Sequence, residues 1–157
     1  MKRLIALAFL FACAATAYAG PLQEKNKAIA RRVFDEIYNQ NRFQTAAEIY
    51  ATDFVNHGFK SDIDLKVDQD AARGWKSAFP DLKVSVVLTV AEGDLVTLLW
   101  TASGTNTGQG NGLPATGKKV AGRGITIWRI VNGKIREEWS EFDNLRIQQQ
   151  LGLTPTP

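Results

Sequence analysis

Hydrophobic spacing divides the chain into a helical first half and a stranded second half. Ile29, Val33 and Ile37 recur every four residues with Ala30, Phe34 and Tyr38 beside them, which predicts an amphipathic helix over 22–39. Lys25, Lys27, Arg31, Arg32, Asp35 and Glu36 fill the rest of its circumference as a solvated face. Pro21 suits its first turn, and Asn39-Gln40-Asn41 ends it. A shorter helix is predicted over 43–50 with Ala46, Ala47, Ile49 and Tyr50 inward, then an extended piece over 52–56 closing on a His57-Gly58 turn. Between Ser61 and Pro80 the spacing Val67, Ala71, Trp75, Phe79 predicts a third helix. Asp62, Asp64 and Asp68 suit its N-terminal end, where the helix dipole favours negative charge.

From Leu82 onward the period changes to two. Segments 83–90 and 95–105, joined through Glu92-Gly93-Asp94, predict one hairpin. Segments 125–131 and 134–142, joined by Asn132-Gly133, predict another, whose two-residue loop requires positive φ at both positions. Unbroken pairing from Val131 and Lys134 sets Ile130 opposite Ile135, Trp128 opposite Glu137, Thr126 opposite Trp139, and Gly122 near Asp143. Glu137, Glu141 and Asp143 then share a face with Trp128 and Trp139, while Arg123, Ile125, Ile127, Arg129, Arg136, Glu138, Ser140 and Phe142 take the other. A carboxylate on an aromatic, half-dry face has its charged form disfavoured, which is how acid/base residues are made. The glycine-rich stretch 104–118 fits no phosphate-loop spacing and reads either as a mobile rim over a cavity or as a plain connection. A terminal helix is expected over 143–151.

With 157 residues, 45% hydrophobic and 22% charged, the composition is that of one ordinary globular domain. Its first nineteen residues read differently. Lys2-Arg3, the apolar run Leu4 to Ala12, and Ala17-Tyr18-Ala19 before Gly20 have the form of an export signal cleaved after Ala19, so residues 1–19 are expected to be a signal peptide and 20–157 the domain. The location expected for the product is therefore periplasmic or secreted. The apolar run is shorter than the roughly 20 residues of a membrane-spanning helix. The alternative is lipidation at Cys13, after Leu10-Phe11-Ala12, with bulky Phe11 where a small residue is usual. Loss of Lys2 and Arg3 takes the formal charge from +3 to +1, which removes an electrostatic case for nucleic-acid binding. With one histidine, His57, and Cys13 the only cysteine, no metal site is expected, although carboxylates alone could hold a hard cation. His57 reads either as a packed or surface residue or as a pocket-lining hydrogen-bonding group, and Trp75 as core or as a binding platform.

Three helices around a short strand, followed by two long hairpins, is the order of an α+β cone. The residues Ala78-Phe79-Pro80-Asp81, Glu92-Gly93-Asp94, Gly112-Leu113-Pro114-Ala115-Thr116-Gly117-Lys118, Asn132-Gly133-Lys134-Ile135 with Glu137 and Trp139, Asp143 and Gln150-Leu151-Gly152 together resemble the SnoaL-like polyketide cyclases of the nuclear transport factor 2-like superfamily. The resemblance covers nearly all of residues 20–157. It implies a cone-shaped fold in which three N-terminal helices pack on a curved, mainly antiparallel sheet around one pocket, in oligomers that use the sheet. It further implies closure of a ring by intramolecular aldol condensation, without metal or cofactor, with an aspartate near the end of the last strand as general acid/base. Asp143 is the residue that matches, His57 matches a pocket-lining position, and Glu137 and Trp139 match positions that suit a structural role. The expected catalytic residues are thus Asp143 and His57, and the expected pocket walls are Trp75, Trp128, Trp139 and Phe54. The expected function is that of a cofactor-independent acid/base enzyme of cyclase, isomerase or hydrolase type acting on a small apolar carbonyl compound, and the expected partner is a second copy of the chain. The alternative function is a non-catalytic periplasmic binding protein for a small apolar ligand.

Overall fold

The computed structural model describes residues 20–58 and 60–154; the expected export signal over 1–19, with Cys13, lies outside the described residues. Helix α1 (Pro21–Arg32) continues without a break into a π-helical segment, Val33–Tyr38. The wider turn lets neighbours Val33 and Phe34, with Ile37 one turn on, all bury. Asn41 then takes a left-handed φ of 58° and ends the helical run. Next come α2 (Thr45–Ile49), β1 (Tyr50–His57), β2 (Asp62–Asp64) and α3 (Leu65–Ala78). The third helix starts later than its spacing suggests. Residues 62–64 pair antiparallel with the end of β1, and the Asp64 carboxylate caps the helix by accepting the Val67 N–H at 2.9 Å. Strands β3 (Lys83–Glu92), β4 (Leu95–Thr105), β5 (Lys119–Val131) and β6 (Lys134–Phe142) follow, and α4 (Asn144–Leu151) closes the chain.

The six strands form one sheet in the order β2-β1-β6-β5-β4-β3. Every pairing is antiparallel except β1 with β6, so the first strand of the chain lies beside the last. Irregularities near Val86–Leu88 in β3, at Arg129/Ile130 across β5–β6 and between Tyr50 and Val55 in β1 curve the sheet around the helices. The α+β cone is therefore present, with α4 as a fourth helix. Its core sets Val96, Leu98, Trp128, Ile130 and Ile135 of the sheet against Ala30, Val33, Phe34, Ile37 and Ile49 of the helices. Each large apolar side chain buried there contributes about 1.5–3 kcal/mol.

The second hairpin corrects the regular register. Asn132 and Gly133 have φ of 52° and 76°, as a type I′ loop requires, and Ile130 faces Ile135. Beyond that pair a bulge intervenes. Arg129 pairs with Glu137, Trp128 with Glu138, Ile127 with Trp139 and Thr126 with Ser140, so Glu138 points inward while Glu137 and Trp139 point outward. Charge pairing accompanies the bulge. Arg136 forms an ion pair with Asp53 of β1, and Glu137 bonds Arg129 at 3.2 Å and His57 at 3.1 Å. Two consecutive charged residues thus stay on the convex surface, at the cost of one break in alternation.

The glycine-rich segment is a pinned connection rather than a mobile rim. Asn106, fully buried, donates from Nδ2 to the carbonyls of Ala78 and Gly108 at 3.1 Å each, and its Oδ1 accepts the Thr116 backbone N–H and hydroxyl at 2.9 Å each. Gly110 passes so near α3 that a Cβ would stand 2.0 Å from the Gly74 carbonyl oxygen. Asn106→Ala removes the four side-chain bonds, leaving the Thr116 N–H only the Asn106 backbone carbonyl at 3.1 Å, and is expected to cost about 1–3 kcal/mol in urea unfolding. A change below about 0.5 kcal/mol would show that the loop is not held by this residue.

Candidate functional site

The concave face of the sheet and the helices over it enclose a cavity of about 130 Å³. Trp100, Thr126, Trp128, Glu138 and Ser140 of β4–β6 form its floor; Phe34, Tyr38, Tyr50, Asp68, Trp75 and Phe79 come from the helices and the start of β1. Trp100 lies flat because residue 124 is glycine: a Cβ there would stand 2.3 Å from the indole. Its N–H donates to Thr126 Oγ1 at 3.0 Å, and Thr126 shares a 2.8 Å bond with Ser140. Trp75 stacks on Phe79 at 6.1 Å and meets Phe142 edge-on at 5.8 Å. The lining is mostly apolar and aromatic, with a few polar groups converging, as small-molecule sites are.

Two of those polar groups are carboxyls. Glu138 is 8% exposed, and Trp128 Nε1 donates to its Oε2 at 2.7 Å, which leaves Oε1 with no hydrogen bond among the described residues. Loss of water, reinforced by the charge of Asp68, pushes the Glu138 carboxyl up to about 8, against the opposing effect of the Trp128 bond. Burial raises Asp68 as well, but Asn56 Nδ2 donates to its Oδ1 at 2.8 Å and Gln69 Nε2 to its Oδ2 at 3.2 Å, and both bonds favour the anion. Asp68 also stands in the first turn of α3, at the positive end of the helix dipole. The pair therefore splits. Asp68 ionises first, and Glu138 holds its proton at neutral pH, which supplies a base and an acid in one dry site.

Of the residues singled out from sequence, Trp75 and Trp128 line this cavity. Phe54 is buried behind the wall, edge-on to Tyr50 at 4.8 Å. Trp139 and His57 lie on the convex face, stacked at 4.7 Å, with His57 between Asp62 at 3.2 Å and Glu137 at 3.1 Å. The bulge in β6 puts Trp139 there. Asp143 is exposed and outside the cavity, where it caps α4 by accepting the Arg146 N–H at 2.9 Å. Removing that cap with Asp143→Ala is expected to cost about 1 kcal/mol of stability in urea unfolding. Ligand affinity should stay unchanged, and a tenfold loss would place Asp143 at the ligand after all. Among the described residues no group of three or more His, Cys, Asp or Glu side chains is arranged to hold a metal.

Asp68, Glu138, Tyr38 and Tyr50 are among the polar cavity residues not singled out from sequence, with Arg123, Gln69, Thr126 and Ser140 beside them. For Asp68 a signal existed. The side of α3 turned to the cavity carries Asp68, Ala72 and Trp75, with Phe79 just past the helix, whereas Val67 is 48% exposed, and an acid on that largely apolar stripe is the informative anomaly.

Comparison with known proteins agrees with this fold. Residues 28–151 match the family of SnoaL-like polyketide cyclases. Over 128 residues the chain is 31% identical to aklanonic acid methyl ester cyclase DnrD of Streptomyces peucetius, covering 78% of this chain and 88% of that protein. AclR of Streptomyces galilaeus, a proposed hydroxylase, superposes with a TM-score of 0.78 at 25% identity, covering 85% of this chain and 89% of AclR. IdmH of Streptomyces antibioticus, a proposed polyketide cyclase, gives 0.71 at 25% identity, covering 81% and 98%.

Proposed function

The chain belongs to the SnoaL-like polyketide cyclase family, and from that premise we propose that it is an acid/base enzyme that closes a ring on a small apolar carbonyl compound. The observation that carries this reading is the split pair of carboxyls, Asp68 and Glu138, in an aromatic cavity. Asp68 takes a proton from a carbon next to a carbonyl. The enolate carbon then attacks a second carbonyl carbon of the same molecule, and the new alkoxide takes the proton of Glu138. Transfer from Asp68 to Glu138, directly or through water, restores the starting state. The cavity is comparable to an engineered one of about 150 Å³ that holds benzene, which supports a substrate whose buried part is one or two rings.

The test is α-proton exchange of 2-indanone in D₂O, followed by ¹H NMR. It asks for proton abstraction alone and needs no knowledge of the natural substrate. The reading expects the protein to accelerate exchange well above buffer and above heat-denatured protein, and acceleration should survive Asp143→Ala. Exchange at the buffer rate would leave the second reading, a carrier that binds an apolar ligand without turnover. One observation favours that reading: Asp143, the aspartate that matches the family's acid/base position, is at the surface.

We further propose that residues 20–157 act in the periplasm or outside the cell, on the strength of the export-type pattern in residues 1–19. Among the described residues no helix is long and apolar enough to cross a membrane. The convex face of the sheet supports a homodimer. Leu88, Val90 and Ile125 are 55%, 53% and 46% exposed there, and Leu88 and Ile125 both flank Leu99 across β3–β5. A dimer should sediment at micromolar concentration and dissociate on Ile125→Lys; a wild-type monomer would refute it.

A further inference from the structure

The roles assigned below to two tyrosines rest on the acid/base reading, in which Asp68 and Glu138 account for the protons but not for the charge that gathers on the substrate oxygen when the α-carbon is deprotonated. That charge needs donors held in place before the reaction begins. Tyr38 and Tyr50 both line the cavity, and Tyr50 is 4% exposed. Neither hydroxyl makes a hydrogen bond among the described residues. Tyr50 is buried and Tyr38 half-buried, and two phenol hydroxyls with no protein partner at a single cavity are free to donate to whatever fills it.

Their rings are nonetheless fixed. Phe54 meets Tyr50 edge-on at 4.8 Å and 86°, and Phe34 holds Tyr38 at 6.0 Å and 53°. Each phenol feels the charges of Asp68 and Glu138, and Tyr50 also feels Tyr38, so the four groups form one cluster. Burial and the two carboxyls push both phenols above their usual range, which keeps them neutral and able to donate. We propose that Tyr38 and Tyr50 donate hydrogen bonds to the carbonyl oxygen on which negative charge develops, and that the substrate is a ketone or ester which presents its enolisable carbonyl to this pair with the α-carbon toward Asp68.

The test uses a ligand that can only accept hydrogen bonds. Binding of 4′-fluoroacetophenone and of its oxygen-free analogue 1-ethyl-4-fluorobenzene is measured by ¹⁹F NMR titration, and the bound ketone is also observed through a ¹³C label at its carbonyl. Wild type should prefer the ketone by about tenfold, as two hydrogen bonds allow, and should shift the carbonyl resonance downfield relative to free ketone. Tyr50→Phe and Tyr38→Phe should each lower the preference about threefold, and the double variant should abolish both preference and shift, with hydrocarbon affinity unchanged. A preference that persists in the double variant overturns the assignment. So does a bound ketone with no downfield shift in the wild-type protein, whatever the variants do. No turnover is involved. Absence of 2-indanone exchange alongside a tyrosine-dependent carbonyl shift would therefore remove the catalysis and leave the donor site, and the converse result would do the opposite.

Discussion

Glu138→Gln is expected to make the protein more stable in mild alkali, by about 5 kcal/mol at pH 9. The folded carboxyl sits at about 8 against an ordinary value of 4.5. The native state therefore holds a proton that the unfolded chain releases, and unfolding becomes easier as pH rises. For a group whose folded value is raised, the favourable contribution is complete below 4.5, declines between 4.5 and 8, and is gone above 8. Asp68, also raised by burial, acts in the same direction. Glu36 and Asp81, held below the usual carboxylate range chiefly by Arg32 and by Thr105 respectively, act the opposite way and weaken the fold as pH falls further. Stability should thus be greatest in the mildly acidic range. Glutamine has the same shape and can still accept the Trp128 N–H, yet carries no charge to bury. Urea unfolding of both proteins at pH 4.5, 7 and 9 measures the effect; parallel pH profiles would mean that Glu138 is not the buried acid described above.

Asp68→Asn is expected to lower the rate of 2-indanone exchange by about 10²–10⁴-fold, the usual contribution of a positioned base. The side chain keeps its shape and can still accept the Asn56 amide bond of 2.8 Å, so ligand affinity should change little and the loss should fall on the chemical step. The wild-type profile should rise as Asp68 ionises and fall again near pH 8, where Glu138 gives up its proton and leaves two anions in the cavity. The substitution also removes the charge that helps raise Glu138, which should then titrate lower in a carboxyl-resolved infrared or NMR measurement. An asparagine variant within threefold of wild type would exclude Asp68 as the base.

Most of the fold was legible because it rests on periods. The four-residue spacing Ile29, Val33, Ile37 and the Asn132-Gly133 loop specify local geometry that nothing distant contradicts. The site was less legible, for one local reason and one global one. The local reason is the bulge in β6. Arg136-Glu137-Glu138 offers no glycine or proline to mark it, and the partners that Arg136 and Glu137 meet on the convex face, Asp53 and His57, are far away in sequence. A single extra residue exchanges the faces of Glu137 and Glu138, so regular alternation assigns the acid of the cavity to the surface and Trp139 to the pocket. The global reason is that Asp68, Tyr38 and Tyr50 come from separate helical and strand segments, and only the closed cone gives them a common destination. Asp143 shows the converse. A carboxylate at the end of a strand and the start of a helix satisfies a matching motif and a helix cap equally well, and the fold uses it as the cap.

The parallel pairing of β1 with β6 has a consequence for the order in which the protein is made. The two hairpins of β3–β4 and β5–β6 join neighbours in the chain, but Asn56 meets Glu138 only across that pairing, some eighty residues later in sequence. Contacts of such long range close late, because the loop entropy must be lost before they form. Asp68 is tied to β1 through Asn56, and Glu138 is part of β6. The two carboxyls are therefore expected to come together late in assembly. On that order of events the chain would bury Glu138 only once the rest of the core is in place to hold it. During refolding from urea, 2-indanone exchange should accordingly appear with the final phase and not with the formation of strands.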